Sequence, residues 1–210
     1  MSNKTIREKI EQGREYREFT PVFPKGEKIV EGYATTFDQP YLLYKFDGYE
    51  FWEQVDRNAF RDTDLTDVIM QYDHEGRVFA RNTNDTLTVR TDEKGLFTRA
   101  DLGGTKLGAE IFDEIDGRYS TKMSMGFTVR KDKREYEENR ETGEVKVLRT
   151  ILDISKLYDV SVVSYPANDN TAIATRHYCE GVLDEVRKEI AAEKRARQKQ
   201  RIKILLEANK

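Results

Sequence analysis

Short apolar runs with a period of two residues dominate the sequence from residue 19 to residue 166. The clearest is "DVSVVSY", where Val160, Val162 and Val163 form a β-branched run that is typical of a strand. "TLTVRTDEKGLFTRADL" contains two such runs joined by a turn, which predicts a hairpin. Within this region only "GGTKLGAEIFDEIDGRY" has helical spacing. The pattern predicts an α+β fold that is mainly β, a small closed or nearly closed β-barrel or a curled sheet, flanked by helices.

Charged segments at both ends divide the chain into three parts. Residues 1–18 alternate positive and negative charge, which indicates a disordered arm or a marginal helix. Residues 19–178 hold the predicted strands and form the expected main domain, within which the charged run 131–146 predicts a solvated hairpin tip or a mobile loop. Residues 179–210 are a charged, basic helical tail, with nine Lys/Arg and five Asp/Glu in residues 181–210. A solvated helix and a docking tail both fit this composition.

Composition limits the classes of function. The net charge of -3 gives no global attraction to nucleic acid or to a membrane surface, and no apolar run approaches the ~20 residues of a membrane span. The single cysteine, Cys179, excludes an internal disulfide and a cysteine zinc site. With only His74 and His177 as histidines, we expect neither a metal nor a cofactor. The charged N-terminus lacks the apolar core of a secretory signal, which favours an intracellular protein.

Ser124 is a candidate nucleophile. It lies in "TKMSMGFTV", where Met123, Met125 and Phe127 form the apolar face of a predicted strand and Ser124 faces the other way. Gly126 lies on the same face as Ser124 and would leave space for the backbone of a ligand. A serine at such a position is more often structural than catalytic, so both roles remain open from the strand alone.

A histidine and two carboxylates are the candidate partners of Ser124. His74 follows a short apolar run in "MQYDHEGR", where a general base or a surface turn histidine would both fit. Asp159 opens "DVSVV", a position at which a carboxylate needs a partner or solvent, and Asp153 in "TILDISK" is its rival. A Ser–His–acid unit needs a hydroxyl, an imidazole and a third group that fixes the ring tautomer. Sequence spacing alone leaves open whether these residues meet.

Six segments, in order between Lys28 and Arg176, resemble the prohead serine proteases of tailed phages: "VEGYATTFD", "VDRNAF", "QYDHEGRVFAR", "TLTVRTDEKGLFTRADL", "KMSMGFTV" and "LYDVSVVSYPANDNTAIATR". The resemblance implies a fold similar to that of the herpesvirus assemblins, a small β-barrel wrapped by helices. It implies that His74 is the general base and Ser124 the nucleophile. It also implies Asp159 as the third member, with Asp153 as the alternative. "YPANDN" stands where assemblins carry an Arg-rich oxyanion loop.

The same resemblance implies a function in phage head maturation. It predicts a serine endopeptidase that cleaves the scaffolding protein or the scaffold-like arm of the major capsid protein, and also itself. Its expected location is the host cytoplasm, inside the assembling procapsid, and assemblins suggest a homodimer. One alternative is a non-enzymatic β-barrel module that binds capsid or scaffold protein. Another is a barrel that would bind single-stranded nucleic acid through Trp52 and the basic tail.

Overall fold

The computed structural model describes residues 8–9, 12–21, 23–24, 28–139, 141–163, 185–192 and 194–204. These residues form eleven strands: β1 (Glu15–Pro21), β2 (Phe23–Pro24), β3 (Ile29–Thr36), β4 (Tyr41–Phe46), β5 (Tyr49–Val55), β6 (Ile69–Tyr72), β7 (Glu75–Arg81), β8 (Leu87–Thr91), β9 (Gly95–Asp101), β10 (Lys122–Glu138) and β11 (Val145–Val163). One α-helix, α1 (Lys106–Asp116), and a 3-10 turn at Asn82–Asn84 interrupt them. The predicted mainly β fold is confirmed.

Two sheets contain all of these strands. The larger has the order β1-β10-β11-β5-β4, with β6 joined to β11 and β7 to β6, and the smaller has the order β2-β3-β9-β8. β10 and β11 pair along almost their whole length, whereas the other edge of β11 is divided between β5 and β6, both parallel to it. Neither sheet closes on itself among the described residues, so the predicted barrel is not supported. Local periodicity predicts strands but not their partners, and here β11 branches the sheet rather than closing it.

The main hydrophobic core joins both sheets to α1. It includes Met125 of β10, Leu96 of β9 and Ile111 of α1, all of them buried. The helix begins where the Thr105 hydroxyl accepts a hydrogen bond from the Gly108 amide, a side-chain cap. Its apolar residues recur at helical spacing and face this core, so the predicted central helix is confirmed.

The charged run 131–146 is mostly strand. β10 continues to Glu138 and β11 begins at Val145, and these two residues form the last antiparallel pair before the turn. The hairpin alternative is therefore the one found, and the mobile loop is not. Most side chains in the β10 part of this run are exposed, so the charge solvates a long two-stranded ribbon.

The two ends of the chain contribute packed elements. β1 pairs antiparallel with β10, so residues 15–18 of the predicted arm form a strand of the larger sheet. Residues 185–192 and 194–204 are helical. Val186 is buried against a second cluster that includes Phe51 and Val147, and Ile190 packs beside it. In contrast, every described residue from 194 to 204 is exposed.

Candidate active site

Ser124 lies near the start of β10, between two buried methionines. Met123 and Met125 point into the main core, which fixes the strand and places the Ser124 side chain on its opposite face. That face is also covered, because the exposed fraction of Ser124 is only 4%. Across the sheet, Ser124 pairs with Glu18 of β1 on one side and with Ser161 of β11 on the other.

His74 lies in a tight turn between β6 and β7. Tyr72 and Glu75 pair across the turn, and the two residues between them, Asp73 and His74, have φ values of 46° and 61°. Positive φ at both central residues defines the type I′ hairpin turn, and Asp and His are among the residues that tolerate it. The Asp73 amide donates to the Val162 carbonyl at 2.9 Å, which ties the turn to β11. His74 is buried, so it is not a surface turn histidine.

Asp159 lies on β11 directly opposite Gly126 of β10. A Cβ atom at position 126 would lie 2.4 Å from Asp159 Oδ2 and 2.7 Å from Tyr16 Cε1, closer than real Cβ atoms approach other atoms. The space beside Gly126 therefore holds the Asp159 carboxylate and the Tyr16 ring. This differs from the expectation that it would receive a ligand backbone.

The three side chains form one hydrogen-bonded chain. His74 Nε2 lies 2.7 Å from Ser124 Oγ, and His74 Nδ1 is hydrogen-bonded to Asp159 Oδ1. A carboxylate can only accept, so the proton of a neutral His74 ring is assigned to Nδ1 and the Nε2 lone pair faces the Ser124 hydroxyl. This is the tautomer in which an imidazole can take a proton from serine.

Burial and local charge act in opposite directions on Asp159. Its burial acts to raise the pKa of the carboxyl, but the contact with His74, a hydrogen bond from Ser161 and the charge of Lys9 together hold that pKa below its usual value. Asp159 is therefore ionised at neutral pH despite an exposed fraction of 1%.

A family model described as caudovirus prohead serine protease matches residues 17–185. The chain belongs to this family. Its matched region starts within β1 and contains Ser124, His74 and Asp159. Searches of curated proteins and of solved structures gave no match.

In this member of the prohead serine protease family, Asp153 is engaged elsewhere. Both oxygens of its carboxylate accept hydrogen bonds from Arg130 Nη1, at 3.2 and 3.1 Å, and its register partner on β10 is Lys131. Of the two carboxylates considered from the sequence, the structure brings only Asp159 to His74.

Two residues that the sequence analysis did not single out also contact the site. The Tyr16 ring lies on the His74 ring, with centroids 4.3 Å apart and an interplanar angle of 57°. The Ser161 hydroxyl donates to Asp159 Oδ1 at 2.7 Å. A signal existed for Ser161, because a residue two positions after Asp159 in a strand shares its face. No sequence signal indicated Tyr16, because the charged residues beside it are typical of a solvated arm.

The N-terminal segment before β1 also reaches the site. Lys9 Nζ donates to the His74 carbonyl at 2.5 Å, which holds the turn from the side of the chain terminus. Burial lowers the pKa of Lys9, although the charges of Asp159 and Glu75 act to raise it.

Other candidate residues do not form a second site in the described part of the chain. Trp52 Nε1 donates to Glu50, and the Lys146 ammonium lies 4.6 Å from the centre of the Trp52 ring, so this ring is not free for base stacking. Among the described residues no group of three or more His, Cys, Asp or Glu side chains is arranged to hold a metal ion. No described helix is long and apolar enough to cross a membrane. His177, Cys179 and the "YPANDN" segment lie outside the described residues.

Proposed function

We propose that this chain is a serine endopeptidase of phage head maturation, with Ser124 as nucleophile, His74 as general base and Asp159 as the residue that orients His74. The observation that carries the proposal is the hydrogen-bonded chain from Ser124 through His74 to Asp159. These groups come from three separate strands or turns, 50 and 85 residues apart in sequence, and their hydrogen-bond order is that of a nucleophile, a base and an orienting acid.

The reaction follows from the assigned tautomer. Ser124 Oγ attacks the carbonyl carbon of the scissile peptide bond while His74 Nε2 takes the hydroxyl proton. The tetrahedral intermediate collapses when His74 gives that proton to the departing amine, which leaves an acyl group on Ser124. Water, deprotonated by His74, then hydrolyses this ester, and the proton returns to Ser124.

Asp159 contributes throughout this cycle without being protonated itself. Its carboxylate holds the Nδ1 proton of His74, so the ring keeps Nε2 directed at Ser124. It also stabilises the imidazolium that exists between the two proton transfers. The lowered pKa of Asp159 keeps this charge available at neutral pH.

The proposed substrates are the scaffolding protein or the scaffold-like arm of the major capsid protein, cleaved inside the assembling procapsid in the host cell. Membership of a prohead protease family supports capsid or scaffold proteins as the general class. The choice between them is a proposal. Self-cleavage within residues 1–18 or 181–210 and assembly into a homodimer stay predictions, checked by intact mass and by sedimentation of the purified protein.

The decisive experiment is co-expression with the major capsid protein and its scaffold, analysed by intact mass. We expect processed capsid or scaffold with the wild-type chain and none with Ser124→Ala. Ser155→Ala is the matched control, because Ser155 is another strand serine whose hydroxyl contacts Thr128 instead of a histidine. Processing by Ser124→Ala, or loss of processing with both variants, would contradict the assignment.

A non-enzymatic module that binds capsid or scaffold protein is the second candidate. The observation that favours it is burial, since the exposed fractions of Ser124 and His74 are only 4% and 3%. A serine-reactive fluorophosphonate distinguishes the two functions. Stoichiometric labelling of Ser124 that disappears with His74→Ala supports the protease, and absence of labelling in both free and assembled protein supports the binding module.

A further inference from the structure

A second serine, Ser161, lies in the candidate active site, and its hydroxyl is hydrogen-bonded to Asp159. β10 and β11 pair in regular register here, with Ser124 opposite Ser161 and Gly126 opposite Asp159. Since paired residues and residues two apart share a face, Asp159 and Ser161 both lie on the side of the sheet that carries Ser124. Ser161 has no exposed surface.

The hydroxyl of Ser161 is committed to the carboxylate. It donates to Asp159 Oδ1 at 2.7 Å, the same oxygen that accepts from His74 Nδ1. Its proton therefore points at the negative charge of Asp159. This geometry separates the two serines, because only the Ser124 hydroxyl faces the Nε2 lone pair of His74.

The two donors on Oδ1 have different effects on Asp159. The His74 contact links the carboxylate to the base, whereas the Ser161 contact fixes the carboxylate from within its own strand. A buried carboxylate with one donor can rotate about its Cβ–Cγ bond, and the second donor opposes that rotation. Oδ2 is confined as well, because it lies over Gly126.

We infer that Ser161 is a positioning residue of the proposed protease: its hydroxyl holds the Asp159 carboxylate in the orientation that directs His74 Nε2 at Ser124. The inference rests on the proposed function, since it concerns the same site. Ser161 acts through Asp159 and His74 and does not touch the substrate.

The test compares Ser161→Thr with Ser161→Val, two side chains of nearly equal shape that differ in a hydroxyl. The cost of fitting a β-branched side chain into the buried position is common to both, so their ratio isolates the hydrogen bond. We expect Ser161→Thr to be labelled by fluorophosphonate within about threefold of the wild-type rate. Ser161→Val should be slower than Ser161→Thr by about tenfold, the effect of losing a hydrogen bond to a charged group. Ser161→Ala, which cannot overpack the site, should show the same loss relative to wild type.

The pH dependence of labelling separates positioning from a merely structural role. Without the Ser161 donor, the carboxylate can rotate away from His74 Nδ1 and stabilises the imidazolium less, so the acid limb of the labelling profile should move to lower pH in the Val and Ala variants. The other charged or titratable groups around His74 and Asp159 include Lys9, Arg14, Tyr16, Glu75 and, next to His74 in the turn, Asp73, and all variants retain them. The low-field proton NMR signal of His74 Nδ1–H should shift in the same variants.

The outcomes are distinguishable. Equal labelling rates for Ser161→Thr and Ser161→Val, or an acid limb that stays in place or moves to higher pH in both Val and Ala variants, would overturn the positioning role. If Ser161→Val does not fold, Ser161→Ala against wild type decides by the same two readouts. Failure of wild-type Ser124 to label in any state, or labelling that survives His74→Ala, would instead contradict the proposed protease function.

Discussion

Gly126 shows how one residue without a side chain determines the shape of the candidate site. Its position is opposite Asp159 and beneath the Tyr16 ring, and both neighbours occupy the space that a Cβ would need. The glycine two residues after Ser124 is therefore required by close packing around the carboxylate. This requirement belongs to the pair of strands rather than to β10 alone.

Gly126→Ala should reduce fluorophosphonate labelling strongly, because a Cβ 2.4 Å from Asp159 Oδ2 must displace the carboxylate that orients His74. We expect a loss of about 100-fold, since misplacement by about 1 Å near a catalytic group has that effect. Gly104→Ala is the matched control, because a Cβ there meets no atom within 4 Å. Equal labelling of the two variants would show that the carboxylate tolerates the displacement.

Asp159→Asn tests whether position 159 needs a carboxylate that orients His74 or only a side chain of the same shape. The amide keeps the size of the side chain but can donate to His74 Nδ1, which favours the wrong ring tautomer. We expect labelling to fall by about 10⁴-fold, as it does for this change in Ser–His–Asp enzymes. Asp153→Asn, on the same strand but paired with Arg130, should label like wild type. The opposite ranking of the two variants would assign the third member to Asp153.

The ionisation of Asp159 also makes a pH-dependent contribution to stability. Its pKa is lowered in the folded protein, so this contribution is present above the pKa of the unfolded carboxyl and is lost as pH falls through the folded value. Urea unfolding of wild type and Asp159→Asn should therefore differ by a constant amount at neutral pH. The difference should shrink below about pH 4, the ordinary range of an aspartate. A difference that grows on acidification would contradict the lowered pKa.

At the scale of elements, buried charges hold β1 in the larger sheet. Glu53 of β5 has no exposed surface and accepts hydrogen bonds from Arg17 of β1 at 2.6 and 3.0 Å and from Arg149 of β11 at 2.9 Å. Arg149 also donates to Glu15 of β1. The alternation of β1 thus directs Tyr16 to His74 and Arg17 to this charge cluster, so one short strand supports the site from the opposite face.

Glu53→Gln should strongly destabilise the protein, because it removes the more buried of the two carboxylates, Glu53 and Glu15, that the guanidinium groups of Arg17 and Arg149 share. We expect the free energy of unfolding to fall by roughly 3–5 kcal/mol in urea titrations. Glu50 lies on the same strand as Glu53 and forms an exposed pair with Lys45 of β4. Glu50→Gln removes this pair and should leave the urea midpoint unchanged. Similar midpoints for both variants would mean that the cluster is not what anchors β1.

At the scale of the whole molecule, the C-terminal helical segment has a packed part and an exposed part. Val186 and Ile190 pack on the cluster formed by β5 and the ribbon, whereas the described residues 194–204 are all exposed and hold six basic side chains. Residues 185–192 therefore contribute to the packed fold, whereas residues 194–204 form an exposed basic segment.

Truncation after Ala192 should leave the free energy of unfolding within about 0.5 kcal/mol of the full chain, because the described residues it removes are exposed. Val186→Ala, in contrast, removes buried methyl groups and should lower that free energy by about 2 kcal/mol. Urea unfolding of both proteins measures the comparison. A large loss on truncation would show that the exposed segment supports the fold.

Much of the local structure could be predicted from the sequence. The hairpin at "TLTVRTDEKGLFTRADL" and the helix from Lys106 to Asp116 are where apolar spacing places them. Residues 15–18 of β1 were not predicted as strand, since Glu15 and Arg17 look like solvated charges until a buried partner such as Glu53 is known. The predicted barrel is not supported either, because the expected strands are present but do not pair into a closed sheet among the described residues. Ser124, His74 and Asp159 could be chosen as candidates from the sequence because they lie within the motifs that resemble those of the phage proteases.

The sequence by itself determined most of the elements and the candidate residues, because alternation of apolar side chains follows directly from the two-residue repeat of a strand. Only the tertiary structure decided which strands pair beyond the hairpins, that the sheets stay open, and that Asp159 rather than Asp153 meets His74. It also decided that Tyr16, Gly126 and Ser161 surround the same point. The contact of His74 with Asp159 joins residues 85 positions apart, and a local pattern holds no information about a partner at that distance.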